Sequence, residues 1–212
     1  MVIRKKMFER GFQLVQSFAA FSVFKLLIFG TLPVVSFLGF KDSYNELEEI
    51  IALVSIWVPV LLLGTTTAFA HYKLHCPSVP VTSFYLTHIF VVSVILLGFF
   101  AYFVVWENQD WQSMLTIFLL LCALIGRGKS QQFRVKGNVP AASFFSSLPY
   151  CCVLLSIPSL YWGKESFVLA VGCLTVAVLT AFFLNESISF TLFKNLYARS
   201  SDTLAYYSFG LR

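Results

Sequence analysis

"MLTIFLLLCALIGRGKSQQFRVKGN", residues 114–138, starts as an unbroken apolar run and ends with Arg127, Lys129, Arg134 and Lys136 within ten residues. How this stretch is read decides the fold. "GRGKS" invites a phosphate-binding loop, but the fingerprint needs a glycine five residues before Gly128, and that position is Ala123. It also needs a strand before the loop and a helix after it. The run ahead of it is greasy from end to end, and no strand–helix alternation is visible anywhere in the chain. The remaining reading is one that a membrane imposes: an apolar span followed by a basic connection.

Composition agrees. Of the 212 residues 58% are hydrophobic and 12% charged, with a mean hydropathy of +0.80. Soluble domains hold roughly 45–50% apolar and about 25% charged residues. A water-soluble chain this greasy would have to place the surplus on its own surface, so lipid is the expected solvent. The 24 phenylalanines suit lipid-facing and helix-packing surfaces.

Six stretches have the length of about 20 residues that a helical span needs. They fall at 12–38, 47–70, 82–106, 111–126, 140–162 and 166–187. They are apolar all round rather than alternating, which excludes a barrel and predicts helices. The start, "MVIRKKMFER", precedes an apolar stretch too long for a signal peptide and is read as the cytoplasmic end of an uncleaved first span.

Orientation follows from the cations, which gather on the cytoplasmic side. One side carries Arg4, Lys5, Lys6, Arg10, Lys73, the four cations of 127–136, Lys194, Arg199 and Arg212. The other carries Lys41 and Lys164, with Asp42, Glu46, Glu48, Glu49, Glu107, Asp110 and Glu165. An even number of spans with both termini in the cytoplasm is therefore expected. "RGKSQQFRVK" then reads as the cytoplasmic connection between the fourth and fifth spans. It serves as a topology determinant near anionic membrane lipid, or as a basic mouth that grips a lipid-linked phosphate. The pI near 9.0 needs no nucleic acid.

Chemistry-bearing clusters are sparse. The five cysteines, Cys76, Cys122, Cys151, Cys152 and Cys173, lack metal spacing and read as small apolar residues. His71 and His75 stand four apart, but Pro77 follows and no acid is near. No metal, cofactor or catalytic set is expected. His88 reads as a hydrogen-bonded packing residue.

The deep polar groups are Lys25 with Ser22 one turn before it, and the hydroxyls Thr65, Thr66 and Thr67. Lys25 either snorkels toward the interface or faces a cavity as a cation. The threonines either bond back to their own helix or line the same cavity. Pro59, Pro140, Pro149 and Pro158 predict kinks in the second and fifth spans.

The order of these features resembles the amino-terminal half of bacterial polysaccharide flippases. These are the O-antigen type within the multidrug/oligosaccharidyl-lipid/polysaccharide exporter superfamily. The resemblance rests on "FLGFKDSY" at 37–44, "GTTTAFAHYK" at 64–73, "QQFRVKGNVPAASFFSSLP" at 131–149 and "LAYYSFGLR" at 204–212. Ser36 stands where the family often has a basic residue.

The resemblance implies an all-α integral membrane protein, with six transmembrane helices over 1–188 forming one lobe of a two-lobe exporter. Residues 189–212 would lead into a truncated seventh helix. It implies a flippase, not an enzyme, that moves a polyprenyl-pyrophosphate oligosaccharide across the bacterial inner membrane. Its partner would be a second lobe or a second copy. Lys25, Ser22 and Thr65–Thr67 would bind the substrate, with Arg127, Lys129, Arg134 and Lys136 at the cytoplasmic mouth. A multidrug cation exporter of the same superfamily is the near alternative, but no acid lies near mid-membrane in any of the six stretches. A non-transporting membrane scaffold is the distant alternative.

Overall fold

The computed structural model describes residues 2–75, 81–106 and 111–185; for 2–14, for Lys25 and for a few other helix positions the description stops at the backbone. All regular structure among the described residues is helical. In chain order the elements are α1 (Val2–Phe37), α2 (Lys41–Leu62), α3 (Thr65–His75), α4 (Val81–Trp106), α5 (Trp111–Val135), α6 (Val139–Ser146), α7 (Leu148–Ser156) and α8 (Lys164–Asn185). A 3-10 turn, Ile157–Trp162, joins the last two.

Three helices are long and apolar enough to cross a membrane, over Phe84–Tyr102, Trp111–Val135 and Lys164–Phe182. The pairs α2–α3 and α6–α7 are bent by 47° and 50°; if each bent pair is one span, the count rises to five. The first expected stretch, 12–38, lies within α1, which is not among the helices counted, so the described residues give three to five spans where six were expected. The outside of the bundle is greasy, with Phe18, Leu26, Phe29, Ile56, Trp162 and Leu169 all exposed. Such a surface is what a lipid solvent accepts.

α5 is the axis. Leu115 and every residue from Ile117 to Gly126 are buried. The helices α2, α3, α4, α6, α7 and α8 all pack on it, while α1 lies against α2, α6 and α7.

The expected basic loop is not a loop. α5 runs on through Val135, so residues 127–135 are its last two and a half turns. Gly128, Lys129, Ser130 and Gln132 in that stretch are buried. Apart from Gly128 the segment is Lys, Arg, Gln, Ser, Phe and Val, none of which stops a helix. The glycines are there for packing. A Cβ at Gly126 would sit 2.4 Å from the Phe145 carbonyl oxygen, and one at Gly128 would sit 2.5 Å from Ile89 Cδ1.

The stop comes at Gly137. Its φ of +75° lets Asn138 N–H reach the Phe133 carbonyl and Gly137 N–H reach the Arg134 carbonyl, both at 2.9 Å. This is a Schellman closure. Asn138 then opens α6, its Oδ1 accepting from Ala141 N–H at 3.2 Å.

The bend after α2 also falls where proline does not put it. Pro59 stays inside the helix, and the break comes at Leu63 and Gly64, with φ of +46° and +68°. Carbonyls released by the break must find donors in a dry setting. The Thr65 hydroxyl donates to the Leu62 carbonyl at 2.6 Å. His88 Nε2, buried on α4, donates to the Leu61 carbonyl at 2.8 Å. The packing role expected for His88 thus has a specific object. Replacing His88 by leucine leaves that carbonyl without its ring donor, which should cost about 1–3 kcal/mol. Unfolding in detergent micelles would show it, and a His88→Leu chain as stable as the parent would mean that the carbonyl has another donor.

At the other end of the bundle the N-termini of three helices meet. Lys164 of α8 donates to Glu46 Oε2 of α2 at 2.6 Å, and its Nζ lies 4.9 Å from the Trp111 ring centroid. Both charges are partly exposed, so the pair is worth at most about 1 kcal/mol.

Candidate functional site

Because residues 127–135 are helical, their spacing has geometric content. Arg127, Ser130, Gln131 and Arg134 stand at i, i+3, i+4 and i+7, which puts them on one face of α5. Opposite them lie Thr66 at the start of α3, Ser146 at the end of α6 and Tyr150 on α7. The seven enclose a cleft of about 350 Å³ at the basic end of the bundle.

Each wall is held by an identifiable bond. Gln131 Nε2 donates to the Thr66 carbonyl at 3.2 Å, tying α3 to α5. The Ser130 and Ser146 hydroxyls are hydrogen-bonded at 2.7 Å, tying α6 to α5. The close approach of α6 is the one that Gly126 permits. Phe133 and Phe145 stack at 5.3 Å beside it and support the same contact.

The cleft holds two guanidinium groups, three hydroxyl-bearing side chains besides the Tyr150 phenol, and one amide; no carboxylate lines it among the described residues. Two fixed positive charges in a site without acids call for an anion. Arginine presents its N–H groups as a planar fork that matches phosphate oxygens two at a time. The hydroxyls and the amide offer hydrogen bonds of the kind that sugar hydroxyls and phosphate oxygens take up.

The structure sorts the residues expected to bind. Of the four basic-mouth residues, Arg127 and Arg134 line the cleft, whereas Lys129 and Lys136 do not. Lys129 is buried elsewhere on α5, with Nζ 5.0 Å from the centroid of the Phe182 ring of α8. Lys136 is exposed in the turn after α5, 5.9 Å from the Phe133 ring centroid.

Of the threonines, only Thr66 reaches the cleft. Thr65 is buried in its back-bond to Leu62, and Thr67 is exposed without joining the lining. Ser22 is half-buried on α1, and the Lys25 side chain lies outside the described residues. Residues 189–212, expected to lead to a further helix, also lie outside them.

Ser130, Gln131, Ser146 and Tyr150 were not expected from sequence. A helical reading of 127–135 would have delivered the first two. Ser146 and Tyr150 flank the bend at Ser147, where the kink expected from Pro149 falls, with Pro149 in the first turn of α7; that the bend brings them to this face of α5 is set by the tertiary packing.

The histidine pair at the end of α3 is stacked, its rings 4.8 Å apart, with His75 Nδ1 2.9 Å from the His71 carbonyl oxygen. Cys122 and Cys152 are buried face to face, with sulfurs 3.5 Å apart, and both thiols are free. Among the described residues no group of three His, Cys, Asp or Glu is placed to hold a metal.

Compared with known protein families, with curated proteins and with solved structures, the chain matches none. The functional reading therefore rests on the cleft.

Proposed function

We propose that the chain is a membrane transport protein for an anionic, lipid-linked saccharide, carrying a polyprenyl-pyrophosphate oligosaccharide from the cytoplasmic to the outer leaflet of a bacterial inner membrane. The observation that supports it most is the pair Arg127 and Arg134 in a cleft without acids. A pyrophosphate supplies the missing negative charge, and the hydroxyls of Thr66, Ser130 and Ser146 suit the first sugar. The same pair disfavours a cationic drug as cargo, since both guanidiniums would repel it. An open polar cleft also sits poorly with a purely structural scaffold, which has no use for one.

In this reading the basic end of α5 faces the cytoplasm, both termini are cytoplasmic, and the bundle works as one lobe beside a second lobe or a second copy. Translocation makes and breaks no bond, so no catalytic group is required. The test is retention of lipid by the purified chain. A polyprenyl-pyrophosphate saccharide should be retained in preference to the uncharged polyprenol by about tenfold or more. Equal retention of the two would sink the reading.

A further inference from the structure

A second cavity opens off the cleft. It lies between α2 and α7 over the middle of α5, and the two cavities share Arg127, Ser146 and Tyr150. From that shared rim the second cavity runs past Ala123 to Leu119, with Val54 on one side and Val153 on the other. Leu119 stands eight residues before Arg127, so the trough follows α5 for about 12 Å.

Beyond the shared rim its walls are apolar save for Ser55, whose hydroxyl donates to the Ala52 carbonyl of its own helix, and its volume is about 60 Å³. On that measure one water needs about 10–15 Å³, and an apolar cavity gives water no partners. A helical peptide, about 10–12 Å across, is far too wide. A narrow apolar trough leading from two guanidiniums fits one kind of occupant: a hydrocarbon chain attached to an anionic headgroup. Ala123 keeps the floor of the trough low, one helical turn from the charge on Arg127.

We infer that this slot holds the first part of the hydrocarbon chain of the lipid whose phosphate lies between Arg127 and Arg134. Cleft and slot are then one amphipathic site that reads both halves of the ligand. The lipid is drawn off the bilayer with its chain sheathed against α5, and the phosphate reaches the arginines without dragging water along the chain. This rests on the anion-binding reading above and adds to it the place of the chain.

The experiment uses the full chain in phosphatidylcholine nanodiscs. Two probes are compared: dioleoyl phosphatidic acid, which has a phosphate and chains, and inorganic pyrophosphate, which has no chain. Val153→Trp fills the slot from within. Ser55→Trp fills it from the exposed rim of α2, where no buried side chain has to move. Each should weaken phosphatidic acid binding by about tenfold or more while leaving pyrophosphate binding unchanged. Arg127→Ala should weaken both.

Unchanged phosphatidic acid binding in both filled variants would overturn the slot and leave the anion site standing. Loss of pyrophosphate together with phosphatidic acid in Ser55→Trp would overturn it too, because the effect would then lie in the cleft. If the unaltered chain bound neither probe, the anion reading itself would fall.

Discussion

Gly126→Ala should destabilise the bundle by about 1–3 kcal/mol, the cost of forcing extra atoms into a packed core. The atom in the way is the Phe145 carbonyl oxygen, 2.4 Å from the would-be Cβ. It is backbone, so it cannot swing aside; α6 itself must move off α5. That movement also pulls on the Ser130–Ser146 bond and on the stacked Phe133 and Phe145. The better helix propensity of alanine returns up to about 1 kcal/mol, which is why the lower half of the range is the best single expectation. Gly128→Ala is the internal control. Its obstacle is Ile89 Cδ1 at 2.5 Å, the end of a side chain with other rotamers, so the helix gain roughly offsets the strain. Denaturant titration in micelles, followed by far-ultraviolet circular dichroism, should rank parent and Gly128→Ala close together and Gly126→Ala well below. The reverse ranking would show that α6 does not approach α5 as described.

Charge reversal at Arg127 should have the largest effect on ligand. Arg127 lines both the cleft and the slot, and its loss leaves the anion facing a carboxylate. Breaking a close charge pair costs about 2–5 kcal/mol, so Arg127→Glu should weaken retention of a pyrophosphate lipid by at least about 30-fold. Arg127→Lys keeps the charge but loses the fork and should fall between. The comparison that gives the result meaning is with the other cations of the same segment. Lys136 is exposed outside the cleft, and Lys136→Glu should change retention by less than about twofold at ordinary salt. Lys129 is buried away from the cleft beside Phe182, so Lys129→Ala should lower stability and spare affinity in the fraction that remains folded. Four equal losses of affinity would mean that the segment acts as a diffuse basic surface, and the cleft would carry no specificity.

The helical class and the approximate place of each apolar segment could be read from hydropathy alone, because lipid leaves few alternatives. The second half of the site could not. In residues 127–136 the cue that pointed to a loop was the run of cations, of the kind that marks cytoplasmic connections. It has other causes here: the cations divide among a cleft, a buried aromatic contact and a turn, while Gly126 and Gly128 permit close approach by α6 and α4. The real terminator, Gly137–Asn138, comes only after them.

The bend between α6 and α7 falls beside Pro149 as expected, but the bend after α2 shows the same limit. Proline marks weak hydrogen bonding, yet α2 absorbs Pro59 and breaks four residues later, where His88 and Thr65 can serve the released carbonyls. Whether a break is tolerated depends on donors from other helices, and no local pattern states that. Thr65–Thr67 could be recognised as a polar cluster. Which of the three faces the cleft follows from the bend.

The central position of α5 also bears on the order of biosynthesis. Ribosomes deliver the chain from its amino end, so α5 enters the membrane before α6, α7 and α8, three of the helices that bury it. Until Phe182 arrives, Lys129 lacks the aromatic face it finally lies against. The most deeply enclosed helix must therefore wait in a provisional setting, among lipids or insertion machinery, until the helices that cover Lys129 arrive. Ribosome-bound intermediates ending before and after α8 should differ in how readily a cysteine placed at 129 reacts with a water-soluble maleimide, because the last helix closes over the axis.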